Sequence, residues 1–157
     1  MKETTLGGYY ASGGKGDKKL IYRTDVIKSV PAYPVFKGEK YTGLSYKYIV
    51  VDQEYKLFVL NEVVCNVEYQ EDGSSNTMYL QYLKNPNGFA FMRRVNLMYP
   101  TSKKRLLMEC IHYCSSSQIA HSRNYIKESP RKALTILCTP LGWCLTAYIR
   151  RKARMER

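Results

Sequence analysis

Histidine, tryptophan and acid are all scarce: two His, one Trp, and 13 Asp or Glu against 25 Lys or Arg in 157 residues. Two imidazoles leave little room for histidine-based acid–base or metal chemistry. No G-x-S-x-G or H-E-x-x-H motif occurs, and the acidic residues show no paired arrangement, so neither a nucleophile elbow nor a zincin is indicated. Gly8 and Gly13 bracket four residues as a phosphate loop would, but Gly14 stands where that loop needs Lys. The opening residues lack the apolar run a secretory signal needs. Five cysteines (Cys65, Cys110, Cys114, Cys138 and Cys144) are an odd number without framework spacing. The last two observations lead to the expectation of a reducing, cytoplasmic location.

Cation is abundant, and unevenly placed. Residues 1–50 net +5, residues 51–100 net −2 and residues 101–157 net +9. A block this basic points to an anionic partner. Tyrosine is the other excess, 15 against four Phe, and suits half-buried strands or binding surfaces.

Glycines and lysines in residues 1–19 read as a flexible basic arm, and 20–157 as a single domain. From Leu20 to Met98 the chain is rich in Val, Ile, Tyr and Phe and broken by turn residues. Strands are expected at 20–27, 46–51, 55–60, 63–69, 77–83 and 89–98, with hairpin turns at Asp72-Gly73 and at Asn85-Pro86-Asn87-Gly88. Pro31 and Pro34 mark an edge or a loop between them.

From Thr101 the pattern turns helical. Leu106, Leu107, Cys110, Ile111 and Cys114 form a stripe with Ser102 as N-cap, although a strand using Leu106, Met108, Cys110 and His112 fits nearly as well. Ser129-Pro130 and Thr139-Pro140 each read as a helix start. In the second of these helices Leu141, Cys144, Leu145, Tyr148 and Lys152 share a face. The expected class is therefore α+β: an antiparallel meander of five or six strands (sheet 20–98), followed by two or three helices in the basic part 101–157.

An uncharged run of 17 residues, 133–149, reaches the lower limit of a bilayer span, with Arg131 and Lys132 before it and Arg150, Arg151 and Lys152 after. Pro140, Gly142 and three Thr inside it favour a buried pair of core helices, and an amphipathic helix on an anionic bilayer is the softer membrane reading. Cys110, His112, Cys114 and His121 lie close together but lack zinc-site spacing, and no orienting Asn or Asp accompanies a Cys/His pair. No metal, cofactor or catalytic residue is therefore expected. TSKKRLLMEC and SQIAHSRNYI resemble the late strands of bacterial surface-adhesin E domains, a resemblance that implies a Cys110–Cys138 disulfide; it covers a small part of the chain and no family is assigned from it.

These observations lead to a small non-enzymatic protein that docks an anionic macromolecule, nucleic acid first. An acidic protein partner, or a membrane surface gripped by the C-terminal amphipathic helices, is the alternative. Lys103, Lys104, Arg105, Arg123, Arg150, Arg151 and Arg154 are the expected contacts, with Tyr46, Tyr48, Tyr79 and Tyr82 as stacking candidates at alternating strand positions.

Overall fold

Helices, not strands, dominate the computed structural model, which describes residues 2–16, 18–68 and 77–156. The elements in chain order are β1 (Lys2–Thr4), α1 (Leu6–Ala11), α2 (Thr24–Ser29), α3 (Ser45–Val51), β2 (Leu57–Val59), α4 (Met78–Lys84), α5 (Pro86–Met98), α6 (Lys103–Ile119), α7 (Tyr125–Glu128) and α8 (Lys132–Met155). They divide into two compact units: Met1–Tyr33 with Leu44–Gln70, and Pro34–Gly43 with Glu71–Arg157.

In the first unit β1 and α1 occupy residues expected as the Gly-rich arm. β1 pairs antiparallel with β2, Glu3 opposite Phe58. The start of α1 is held from both sides. Thr5 Oγ1 accepts from Gly8 N at 2.9 Å, while the Asp52 carboxylate accepts from Leu6 N and Gly7 N at 2.9 and 2.7 Å. Val26, Val30 and Val51 form the core, with Tyr22, Ile27, Tyr46 and Val50 packed around it.

The expected meander does not form. Residues 24–29, 46–51, 78–84 and 86–98 are helical, 63–68 carry no regular structure, and among the described residues only Leu57–Val59 of the anticipated strands is a strand. β-branched and aromatic residues favour strands only weakly, because that preference reflects the packing surface on offer. Here the spacing of the buried residues decides. Tyr46, Val50 and Val51 line the valine core of the first unit at helical intervals, and in the second unit the buried Gly88, Phe89, Met92 and Val95 of α5 recur at helical intervals as well.

Asn85-Pro86-Asn87-Gly88 starts a helix instead of turning a hairpin. Pro86 sits in the first turn, where its missing N–H costs nothing, and the Glu39 carboxylate accepts from Asn87 N and Gly88 N at 2.9 and 2.8 Å. Gly88 is a packing glycine: a Cβ there would lie 2.1 Å from the Tyr41 carbonyl oxygen. The Asp72-Gly73 turn lies outside the described residues.

The second unit is built on α5, α6 and α8. Leu97, Cys110, Tyr113, Cys114 and Cys138 form its core. Ser102 caps α6, its Oγ accepting from Arg105 N at 3.1 Å. Thr139-Pro140 does not separate two helices, because Pro140 lies within the continuous 24-residue α8. Ser129 Oγ accepts from Arg131 N at 3.1 Å, just before α8 begins at Lys132. The strands implied by the adhesin-domain resemblance are replaced by α6 and α7, and Cys110 and Cys138 are free thiols.

Candidate functional site

α8 turns small and hydroxyl-bearing residues inward. Thr135, Cys138, Gly142, Thr146, Ile149 and Ala153 are its buried positions. They meet Cys110, Cys114, Ser115 and Gln118 of α6 along a seam of polar contacts. Ser115 and Thr146 share a hydrogen bond at 2.9 Å, and Gln118 Nε2 donates to the Thr139 carbonyl at 3.3 Å. Cys114 Sγ donates to the Thr135 carbonyl at 3.5 Å, and Ser129 and Thr135 share a hydroxyl contact of 2.6 Å. Gly142 lets the helices approach until a Cβ there would lie 2.5 Å from Cys114 Cβ. Cys110 faces Thr135 and Ser115 faces Thr146, so the two helices run in the same direction.

The outer face of α8 is the reverse. Every exposed residue between Lys132 and Arg150 is uncharged: Ala133, Ile136, Leu137, Pro140, Leu141, Trp143, Cys144, Ala147 and Tyr148. Leu137 is 74% exposed and Trp143 63%. A stripe of this kind is unusual on a monomeric soluble surface. Of the residues expected to share one face, Leu141, Cys144 and Tyr148 are exposed and Leu145 and Lys152 half-buried, so the face that packs inside lies about 100° further round the helix. The signal that gives the right phase is the small-residue series Thr135, Cys138, Gly142, Thr146, which recurs every three or four positions.

The expected cations fall into separate groups. Lys103, Lys104 and Arg105 are exposed in the first turn of α6, and Arg150, Arg151 and Arg154 are exposed in the last two turns of α8. Because the helices run in the same direction, these clusters lie at opposite ends of the pair. Arg123 is exposed in the connection between α6 and α7. Arg131 and Lys132 add cations at the start of α8. The tyrosines are on helices, so the sheet face that was to align them is absent. Tyr46 packs edge-on to Tyr33 and Tyr48 stacks on Tyr22, while Tyr79 meets Tyr148 and Tyr82 meets Phe89.

In the second turn of α6, Glu109 is buried to 2% exposure, with Arg93 Nη1 on one carboxylate oxygen at 2.8 Å and Arg105 Nε on the other at 2.7 Å. Burial alone raises its pKa, but Arg93, then Asn96 and Arg105, outweigh burial and hold it below the usual carboxylate range. His112, beside this cluster, is pushed down to about 4 by burial and then by the Arg93 charge. Both shifts have the same sign for stability. The folded state binds fewer protons than the unfolded chain, so each contribution is complete above the unfolded pKa and is lost as pH falls through the folded one. Stability is expected to decline between pH 6.5 and 4, with His112 contributing at most about 3 kcal/mol. Urea titrations at stepped pH check this: His112→Gln flattens the decline in that window, and a slope equal to wild type refutes the assignment.

Cys110 and Cys114 are fully buried. The Cys110 thiol is pushed up by its hydrogen bond with Cys114 and by burial, and burial pushes Cys138 up to about 11. His121 stands at φ 55° in the exposed turn after α6. Among the described residues no group of three or more His, Cys, Asp or Glu is placed to hold a metal ion. No protein-family model, curated protein or solved structure matches the chain.

Proposed function

We propose that this protein docks on anionic membrane surfaces through the outer face of α8. The observation that carries this reading is an uncharged, apolar helix face bracketed by Arg131 and Lys132 at one end and Arg150, Arg151 and Arg154 at the other. Anionic headgroups complement both ends while the acyl region takes up Ile136, Leu137, Leu141 and Trp143. At about 36 Å, α8 is long enough to span a bilayer. Its inner face, however, is hydrogen-bonded to α6, whose first turn carries three cations in sequence. A single free apolar face suits a helix lying in the plane of the interface. Nucleic acid has less support as the anionic partner, since the tyrosines meant to stack bases pack on one another and the cations lie in separate groups.

Trp143, the only tryptophan in the chain, reports directly on this face. Its emission is expected to shift to the blue on adding vesicles of phosphatidylcholine with phosphatidylserine, with co-flotation of the protein, and to stay unchanged with phosphatidylcholine alone. No shift and no flotation at low salt overturns the reading. Salt-sensitive binding to a labelled oligonucleotide in that same case transfers the anionic partner to nucleic acid.

A further inference from the structure

A second feature, independent of the outer face of α8, lies between α5 and α6. A cleft of about 360 Å³ is walled by Arg93, Lys104 and Arg105, with Ser102, Met108, Glu109 and His112 completing the lining. This volume falls at the small end of ligand sites. Glu109 does not make the cleft acidic. Its two oxygens are each occupied by a guanidinium from a different helix, so the buried carboxylate fixes Arg93 and Arg105 in place and cancels one of the three positive charges. Arg105 reaches Glu109 through Nε at 2.7 Å, and its side chain is 61% exposed, so the guanidinium is open to the cleft. Ser102 Oγ accepts from Arg105 N, which leaves its own proton to donate. His112, with its pKa near 4, is neutral at physiological pH and adds a ring that can donate without adding charge.

We propose that this cleft binds a phosphomonoester group, with Arg93, Lys104 and Arg105 as its cationic walls and the Ser102 hydroxyl as a further donor. The net charge of the lining matches a dianion. A guanidinium fork fits phosphate oxygens, and its geometry is set beforehand by Glu109, so little ordering is left for binding to supply. The group has two sources, a soluble phosphomonoester or the headgroup of phosphatidic acid.

The test is calorimetric titration of the full chain with inorganic phosphate and with glycerol 3-phosphate, comparing wild type with Lys104→Ala/Arg105→Gln and with Arg150→Gln/Arg151→Gln. Glu109 and Arg93 are kept in every variant, and circular dichroism checks the fold. Saturable binding weakened about tenfold or more by the cleft pair, and unchanged by the α8 pair, supports the site. Absence of saturable binding, or equal loss in both variants, overturns it. Vesicle flotation then separates the sources. A preference for phosphatidic acid over phosphatidylserine that the cleft pair removes assigns the lipid headgroup, and binding of glycerol 3-phosphate with no such preference assigns a soluble ligand. Failure here leaves the α8 reading intact, because the Trp143 shift on phosphatidylserine vesicles does not require the cleft.

Discussion

Leu137→Asp combined with Leu141→Asp is expected to abolish binding to anionic vesicles while leaving the circular dichroism spectrum and thermal midpoint close to those of the wild type. Both side chains are exposed and both lie on the outer stripe of α8. Burying a leucine is worth about 1.5–3 kcal/mol, so losing two costs about 4 kcal/mol, roughly a thousandfold in affinity. The aspartates add repulsion from the lipid. Replacing Arg150, Arg151 and Arg154 with Gln removes about 1 kcal/mol each, roughly a hundredfold in total, and also reduces the salt dependence. The two sets therefore act through different terms. If the double aspartate variant unfolds, the stripe is part of a core and the docking proposal fails; if it floats with vesicles like wild type, the stripe is not the contact.

Gly142→Val should destabilise the second unit by about 4 kcal/mol. A Cβ at this position would lie 2.5 Å from Cys114 Cβ and 3.2 Å from Ser115 N. The Cβ of Cys114 cannot swing away, so α6 and α8 must separate. Overpacking of this kind costs about 1–3 kcal/mol. Separation also stretches the Ser115–Thr146 and Gln118–Thr139 hydrogen bonds, each worth about 1 kcal/mol. For a chain of this length the thermal midpoint should fall by about 10 °C. Gly142→Ala is the sharper diagnostic: alanine favours a helix by about 1 kcal/mol, so a loss of stability in that variant isolates the steric term. Ala147→Val, on the exposed face of the same helix, is the control and should leave the midpoint near wild type. Equal midpoints for Gly142→Val and Ala147→Val would refute the close-packed seam.

Parts of this architecture were legible from residues alone. The N-cap at Ser102 and the stripe through Cys110 and Cys114 placed α6, because a hydroxyl cap and a 3.6-residue period coincide there. The cations, too, lie on exposed turns, as expected of Lys and Arg. The first two-thirds of the chain misled for a physical reason: Tyr and Val are abundant in it, and their preference for strands was stronger than any single helical cue. The period of Gly88, Phe89, Met92 and Val95 was present but obscured by an Asn-Pro-Asn-Gly sequence that resembles a turn. That sequence starts a helix because Glu39, about fifty positions earlier, accepts from its amides. In α8 the sequence showed that Leu141, Cys144, Leu145, Tyr148 and Lys152 share a face without showing which side packs inward; the glycine and threonines are the positions that permit close helix contact.

The hydroxyl seam between α6 and α8 also has a thermal consequence. Unfolding that interface exposes hydroxyl groups, thiols and backbone more than hydrocarbon, and polar exposure lowers the heat capacity of the unfolded chain where apolar exposure raises it. With several apolar side chains of α8 already in water before unfolding, the heat-capacity increment of the second unit should be small for its length. Its stability curve is then broad and shallow, so that cooling removes little of the free energy holding these helices together.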